Sequence, residues 1–283
     1  MTPWPAPGAD VLAGLAARAR AVRAATVRMA HDGRTPHVGS ALSCVDILVA
    51  LYFHAMDVDP RAKRPADQDL FVLSKGHGCM SYYATLAERG YFPASLLATY
   101  ARNGGALPEH PTPGAVPGIT VATGSLGHGL SIAAGMALAR TIDGRPGRVF
   151  VLLSDGECNE GSVWEAAMFA AGRRLERLVA IVDYNKLQAM GRSEEITALA
   201  PLADKWQSFG WATREVDGHD LAALVRTLDA LPLGVGQPSA LVAHTVKGKG
   251  VSFMEDDTEW HYRPPSDADL ARALEELGVE RRA

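Results

Sequence analysis

Two apolar runs in the middle of the chain, each ending abruptly in polar residues, most strongly limit what this sequence can fold into. Residues 149–153 are followed by SDG, and residues 178–182 are followed by DYN. Unbroken apolar runs of this length are typical of strands buried on both faces. The segment between them, residues 163–171, is apolar, rich in alanine and long enough for a helix. This order predicts a βαβ unit with parallel strands.

Asp155 and Asn185 follow the two predicted strands. Parallel strands end at the same edge of a sheet, so we expect these side chains to converge in the crevice beyond that edge. Either residue alone would be an ordinary turn residue. Together, a carboxylate and a carboxamide oxygen suit a hard cation such as Mg²⁺ or Ca²⁺, although they are too few to complete its shell. We therefore expect phosphate oxygens of a bound molecule to supply the other ligands.

Two glycine-rich segments elsewhere have the composition of ligand-binding loops. SKGHG at 74–78 follows a predicted strand at 69–73 and precedes a helical segment. Free backbone N–H groups and the positive end of a helix can bind phosphate there, with His77 as a further donor. The long loop at 103–129 ends in TGSLGHG before a predicted helix at 130–139. Its glycines allow a ligand to approach the backbone closely.

The βα alternation continues with predicted strands at 211–216 and 240–246 and a helix at 220–231. Helices are predicted at 10–31 and 43–56, the second with a capping box of Ser43 and Asp46. The whole pattern predicts an α/β fold with a doubly wound, mainly parallel sheet and helices on both faces. We expect one domain over residues 1–283, with a mobile start at about 1–9 and an extended tail at about 265–283.

Composition argues against several classes of partner. Lys and Arg total 28 against 32 for Asp and Glu, a net charge of −4, which favours neither nucleic acid nor an anionic membrane. The amino terminus lacks the pattern of a secretory signal, and no apolar run has the length of a membrane span. Cys44, Cys79 and Cys158 show no metal-binding spacing, so we interpret them as reduced thiols in a cytoplasmic protein.

Several motifs occur together in one order along the chain: PHVGSALS with His37, SKGHG, EHP with His110, TGSLGHG, Asp155-Gly156 with Asn185, and KGKG followed by His261. This order resembles that of transketolases. The chain is similar to their amino-terminal, diphosphate-binding half, close to the first subunit of split transketolases, which implies a thiamine diphosphate-binding fold. It differs at Ser154, where glycine is usual, and at His128, where many single-chain members have glutamine.

The resemblance implies a role for each matching position. The metal ligands would be Asp155, Asn185 and the Leu187 carbonyl. The cofactor contacts would be His77 and Gly156 at the diphosphate, Asn185, and Gly124 and Leu126 at the pyrimidine. The substrate-facing catalytic residues would be His37, His110 and His261. Glu160 resembles a buried acidic residue near the subunit contact.

The resemblance also implies a partner. In the family, the carboxyl-terminal half supplies the glutamate that activates the cofactor and the residues that bind the sugar phosphate. We therefore expect this chain to be inactive alone and to work with a carboxyl-terminal transketolase subunit, as a heterotetramer. The pair would move a two-carbon ketol unit from a ketose or its phosphate to an aldose or its phosphate, with thiamine diphosphate as electron sink.

Two alternatives stay open from the sequence. The first is another enzyme that uses this cofactor, either 1-deoxyxylulose-5-phosphate synthase-like or the alpha-type subunit of a 2-oxo acid dehydrogenase. The several histidines favour transketolase, because a hydroxyl-rich donor needs more hydrogen-bond partners than pyruvate does. The second alternative is a non-catalytic module that only binds thiamine diphosphate.

Overall fold

A parallel sheet of five strands lies at the centre of the fold, which a computed structural model describes for residues 7–62 and 67–279. The strand order is β1-β2-β3-β5-β4, and every neighbouring pair is parallel. The strands are β1 (Leu70–Leu73), β2 (Val149–Ser154), β3 (Leu178–Tyr184), β4 (Ala212–Asp217) and β5 (Ser239–His244). All of them overlap the predicted strands.

The two faces of the sheet contribute to separate hydrophobic cores. In β2, Phe150 and Leu152 belong to one core, whereas Val149 and Val151 belong to the other. All four side chains are fully buried, because successive residues of a strand point to opposite faces and both faces are covered. The prediction of strands buried on both faces is confirmed.

Helices cover both faces, as the predicted doubly wound fold requires. One core includes residues of α1–α4, α9 and α10, and the other includes residues of α5, α6 and α8. The helices are α1 (Ala9–Gly33), α2 (Val38–Ser43), α3 (Val45–Ala50), α4 (Cys79–Arg89), α5 (Gly129–Ile142), α6 (Gly161–Gly172), α7 (Ser193–Ile196), α8 (Leu202–Ser208), α9 (Leu221–Asp229) and α10 (Asp267–Glu276). Among the described residues, no helix is long and apolar enough to cross a membrane.

The predicted helix at 43–56 and its capping box are wrong in detail. Helical structure begins at Val38, breaks at Cys44, and continues through α3 into a π-helical turn, Leu51–Ala55. Ser43 donates to Asp183 at 2.6 Å instead of capping a helix, and Asp46 is paired with Arg23. Both members of the supposed box therefore bond to distant charged residues, which local spacing does not reveal.

The predicted extended tail at about 265–283 is corrected over residues 267–276, which are helical, whereas residues 280–283 lie outside the described part of the chain. Ser266 caps the amino end of α10 in a capping box with Asp269, and Leu270 and Leu274 are buried in the core shared with α1. An apolar stripe on this helix explains its docking. Of the predicted mobile start, residues 1–6 lie outside the described part of the chain, and α1 begins at Ala9.

Candidate active site

A cavity of about 440 Å³ opens beyond the carboxyl ends of β2 and β3. Every residue predicted for the site from the sequence lines this cavity. They are His37, His77, His110, Gly124, Leu126, Asp155, Gly156, Asn185, Leu187 and His261. Residues from widely separated loops thus meet at the edge of the sheet where ligands of such folds bind.

Asp155 is held in place by three donors. One carboxylate oxygen accepts from the Gly156 N–H at 2.8 Å, and the other accepts from the Lys186 N–H and the Ser193 hydroxyl, both at 2.8 Å. Only 1% of the residue is exposed. Burial, with a smaller contribution from Asp183, raises the pKa of Asp155 to about 6. A buried carboxylate of this kind is suited to a cation, whose charge offsets the cost of burial.

Asn185 and Leu187 provide the other predicted cation ligands at the end of β3. Asn185 is buried, and its side-chain oxygen accepts from the Leu187 N–H at 3.1 Å, which orients the amide. Within the described residues, no group of three or more His, Cys, Asp and Glu side chains is arranged to hold a metal. The hard oxygen donors of residues 155, 185 and 187 nevertheless fit Mg²⁺ or Ca²⁺ when ligand phosphates complete the shell.

Close backbone approaches shape the opposite wall of the cavity. A Cβ atom on Gly76 would lie 2.7 Å from the Gly124 nitrogen, and one on Gly124 would lie 2.7 Å from the His110 ring. Gly124 also has φ of +139°, which side chains rarely allow. These contacts bring His77, which follows Gly76, to the TGSLGHG loop.

Three of the histidines that line the cavity form a ring cluster. The His37 ring centroid lies 5.4 Å from that of His77 and 5.0 Å from that of His261. Burial, reinforced by neighbouring histidines and the cations Lys247 and Lys75, lowers the pKa of His37 to about 4, that of His261 to about 3 and that of His77 well below its usual value. All three imidazoles are therefore neutral near pH 7 and can each donate and accept.

Lys247 determines which nitrogen of His261 carries the proton. Its ammonium lies 2.8 Å from Nδ1 of His261 and also donates to the carbonyls of Leu187 and Gln188. Burial and nearby Lys75 lower the pKa of Lys247 to about 8, so it stays mainly charged at neutral pH. An ammonium only donates, so Nδ1 accepts and the ring proton lies on Nε2.

Sequence reasoning missed several residues that support the site. Lys75 and Asp183 form a fully buried ion pair, and Glu157 accepts from Ser74 and from the Gly127 N–H at 2.9 Å. Gln188 lines the cavity, and its buried Nε2 has no hydrogen-bond partner among the described residues. Lys75 lies inside SKGHG and Asp183 inside DYN. Their charges within these two motifs were the sequence signal that could have identified them as residues that support the site.

Two secondary expectations have different outcomes. Glu160, expected to be buried, lines the cavity but is exposed on this chain. The cysteines Cys44, Cys79 and Cys158 are buried and free, as predicted for reduced thiols.

The chain is similar to known transketolase subunits over nearly its whole length. The family model for the transketolase thiamine diphosphate binding domain matches residues 15–283. A 6-deoxy-6-sulfo-D-fructose transketolase subunit of a Clostridium species is 45% identical over 244 residues, 86% of this chain and 89% of the relative. An apulose-4-phosphate transketolase subunit of Actinobacillus succinogenes is 41% identical over 264 residues, 93% of this chain and 95% of the relative.

Solved structures agree with these sequence matches. Transketolase from Leishmania mexicana superposes with a TM-score of 0.87 at 27% identity, over 94% of this chain but only 41% of that chain. The fold of this chain is thus shared with a solved transketolase. The chain belongs to the transketolase family, as an amino-terminal subunit that carries the thiamine diphosphate-binding domain.

Proposed function

We propose that this chain is the cofactor-holding subunit of a two-chain transketolase that moves a two-carbon ketol unit from a ketose to an aldose. The observation that supports this most directly is the convergence of every predicted site residue on one cavity. The relatives at 45% and 41% identity are both named as transketolase subunits, which favours this reaction over the dehydrogenase and synthase alternatives.

The chain's own groups would hold the cofactor at its diphosphate end. Asp155, Asn185 and the Leu187 carbonyl would bind Mg²⁺ or Ca²⁺, and His77 and Gly156 would contact the diphosphate. When bound, thiamine diphosphate supplies the electron sink for breaking a carbon–carbon bond beside a carbonyl. Gly124 and Leu126 would contact the pyrimidine from the glycine-rich wall.

His37, His110 and His261 would bind the hydroxyl groups of the sugar. Neutral imidazoles suit this role because each can donate to one hydroxyl and accept from another. His261 can offer its Nε2 proton to the substrate, since Lys247 occupies Nδ1. These histidines can also move protons between sugar hydroxyls during cleavage.

A carboxyl-terminal partner chain would complete the enzyme. The relatives' names contain the word subunit, and this chain spans 41% of the solved Leishmania transketolase chain. The partner would supply the activating glutamate and the residues that read the sugar phosphate, in a heterotetramer located in the cytoplasm.

Copurification with the candidate partner tests the proposal. Calorimetric titration with thiamine diphosphate and Mg²⁺, with and without partner, measures cofactor binding. A panel of ketose donors that includes 6-deoxy-6-sulfo-D-fructose and apulose 4-phosphate then measures ketol transfer. We expect transfer only from the two-chain enzyme. Rapid turnover by the isolated chain, binding without any transfer, or carbon dioxide release from pyruvate without an acceptor would contradict the proposal.

A further inference from the structure

We propose that the buried Lys75–Asp183 ion pair is a positioning pair, which holds the loops carrying His77 and Asn185 at the separation that a cation–diphosphate group needs. This inference rests on the proposed function, because it concerns how the same cavity keeps its shape. It assigns a role to two residues that do not touch the ligand themselves.

The pair is completely enclosed, and both of its charged groups are hydrogen-bonded to other groups of the protein. Neither side chain has exposed surface. One oxygen of Asp183 accepts from Lys75 and from Ser43 at 2.6 Å, and the other accepts from Thr245. The Lys75 ammonium also donates to the Ser40 carbonyl at 2.8 Å. All the partners are fixed groups of the protein, so the charges are already matched without a ligand.

The contact spans β2, the strand that ends just before Asp155. Lys75 follows β1 and Asp183 lies in β3, whereas β2 runs between these strands. Thr245 follows β5, on the far side of β3. One cluster of polar side chains thus joins the carboxyl ends of β1, β3 and β5 across β2.

Each member of the pair precedes a cavity residue by two positions, and this short spacing explains how the pair acts on the ligand site. His77 lies two positions after Lys75, in the short 3₁₀ turn Gly76–Gly78, and Asn185 lies two positions after Asp183. His77 and Asn185 are among the described residues that line the cavity, whereas Lys75 and Asp183 are not. The pair therefore acts through the backbone of the two loops and not by contact with phosphate.

A second ion pair lies at the opposite edge of the sheet, away from the cavity. Arg148 bonds to Asp69 at 2.8 Å, beside the amino ends of β1 and β2 and away from the cavity. A buried ion pair often contributes little net stability, because desolvation offsets the attraction, but it can specify one geometry. The Arg148 side chain is partly exposed, whereas Lys75 and Asp183 are fully buried, so the Arg148–Asp69 pair serves as a comparison of position at the same sheet and not of burial.

Double-mutant analysis of cofactor binding tests the inference on the copurified two-chain enzyme. Lys75→Met, Asp183→Asn and the double variant are titrated with thiamine diphosphate at fixed Mg²⁺. We expect each single variant to weaken binding by about 10- to 100-fold, as is usual for residues that support metal ligands. The double variant should bind the cofactor no more weakly than the weaker-binding of the two single variants, because both substitutions remove the same interaction. The KM for the ketose at saturating cofactor should stay unchanged.

Two further variants keep the test decisive. Arg148→Met is the control at the opposite edge and should leave cofactor affinity unchanged even if it lowers the unfolding midpoint. Thr245→Val removes only one hydrogen bond to Asp183, so it can be measured if the charge variants do not fold, and it should weaken cofactor binding to a smaller extent.

Wild-type affinity in Thr245→Val and in the folded charge variants would overturn the inference, as would equal losses in Arg148→Met. Absence of cofactor binding by the wild-type enzyme would instead refute the proposed function on which the inference rests.

Discussion

At the scale of single residues, Asp155 is a carboxylate that is buried and held in place by three hydrogen-bond donors. We expect its charge to be needed for binding a cation. Asp155→Asn keeps the shape but removes the charge that a cation needs. We expect Mg²⁺-dependent binding of thiamine diphosphate to weaken by more than the roughly 10- to 100-fold typical of supporting residues, as measured by calorimetry. Ser193→Ala, which removes one donor to Asp155, is the control and should have the smaller effect. Equal losses in both variants would argue against Asp155 as a cation ligand.

The buried histidines predict a particular dependence of stability on pH. His37 in the unfolded chain takes up a proton near pH 6.5, whereas in the folded protein it does so only near pH 4. Between these values the unfolded state binds more protons, so the free energy of unfolding falls as the pH is lowered from about 6.5 to about 4. His37→Asn should make that decline shallower.

Urea unfolding of the full chain at several pH values measures this effect. Asparagine suits the test because His37 has φ of +73°, a left-handed conformation that asparagine tolerates. An unchanged slope between pH 6.5 and about 4 in the variant would mean that His37 is not kept neutral by burial.

At the scale of elements, the turn before α4 depends on the absence of a side chain at Gly76. A methyl group there would meet the backbone of Thr123 and Gly124 at 2.8 and 2.7 Å. We expect Gly76→Ala to reduce the free energy of unfolding by about 1–3 kcal/mol, the usual cost of overpacking. Chemical denaturation of the isolated full chain measures it.

Gly135, in the exposed face of α5, is the matched control for that substitution. An added Cβ would have no heavy atom within 4 Å. Gly135→Ala should be neutral or stabilising by up to about 1 kcal/mol, because alanine is the better helix former. Similar destabilisation by both substitutions would indicate that the tight packing at Gly76 is not the cause.

The helices show where local patterns were sufficient and where they were not. α1, α5, α6 and α9 lie within a few residues of their predicted bounds, because apolar spacing and nearby polar residues mark them. The break at Cys44 was not predictable in this way. Ser43 and Asp46, which resemble a local cap, are bonded instead to charged groups contributed by other parts of the fold.

At the scale of the whole molecule, the partner chain gives a prediction about assembly. We expect native mass spectrometry of the copurified enzyme to show two copies of each chain, because symmetric closed assemblies are the common outcome for such subunits. A 1:1 complex with full ketol transfer would contradict the heterotetramer. Dilution of the complex should abolish transfer in parallel with its dissociation, since the isolated chain is expected to be inactive.

The amino-acid sequence by itself determined the parallel sheet and the group of residues at its carboxyl edge. Apolar runs report strands directly, and a polar residue at each strand end is brought to that edge by the parallel arrangement alone. The positions of Asp155 and Asn185 could therefore be inferred without any knowledge of side-chain packing. The glycine-rich turns could also be predicted from the sequence, because each lies between a predicted strand and a predicted helix.

Only the tertiary structure decided which charged groups meet. Lys75 and Asp183 are separated by 108 positions, and their contact depends on how α2 and β5 pack beside β3. The docking of α10 and the bond between Lys247 and His261 likewise follow from packing in three dimensions. Local periodicity describes the neighbours of a residue along the chain, whereas burial energy and charge pairing depend on neighbours in space, and these become defined only when the helices close over the sheet.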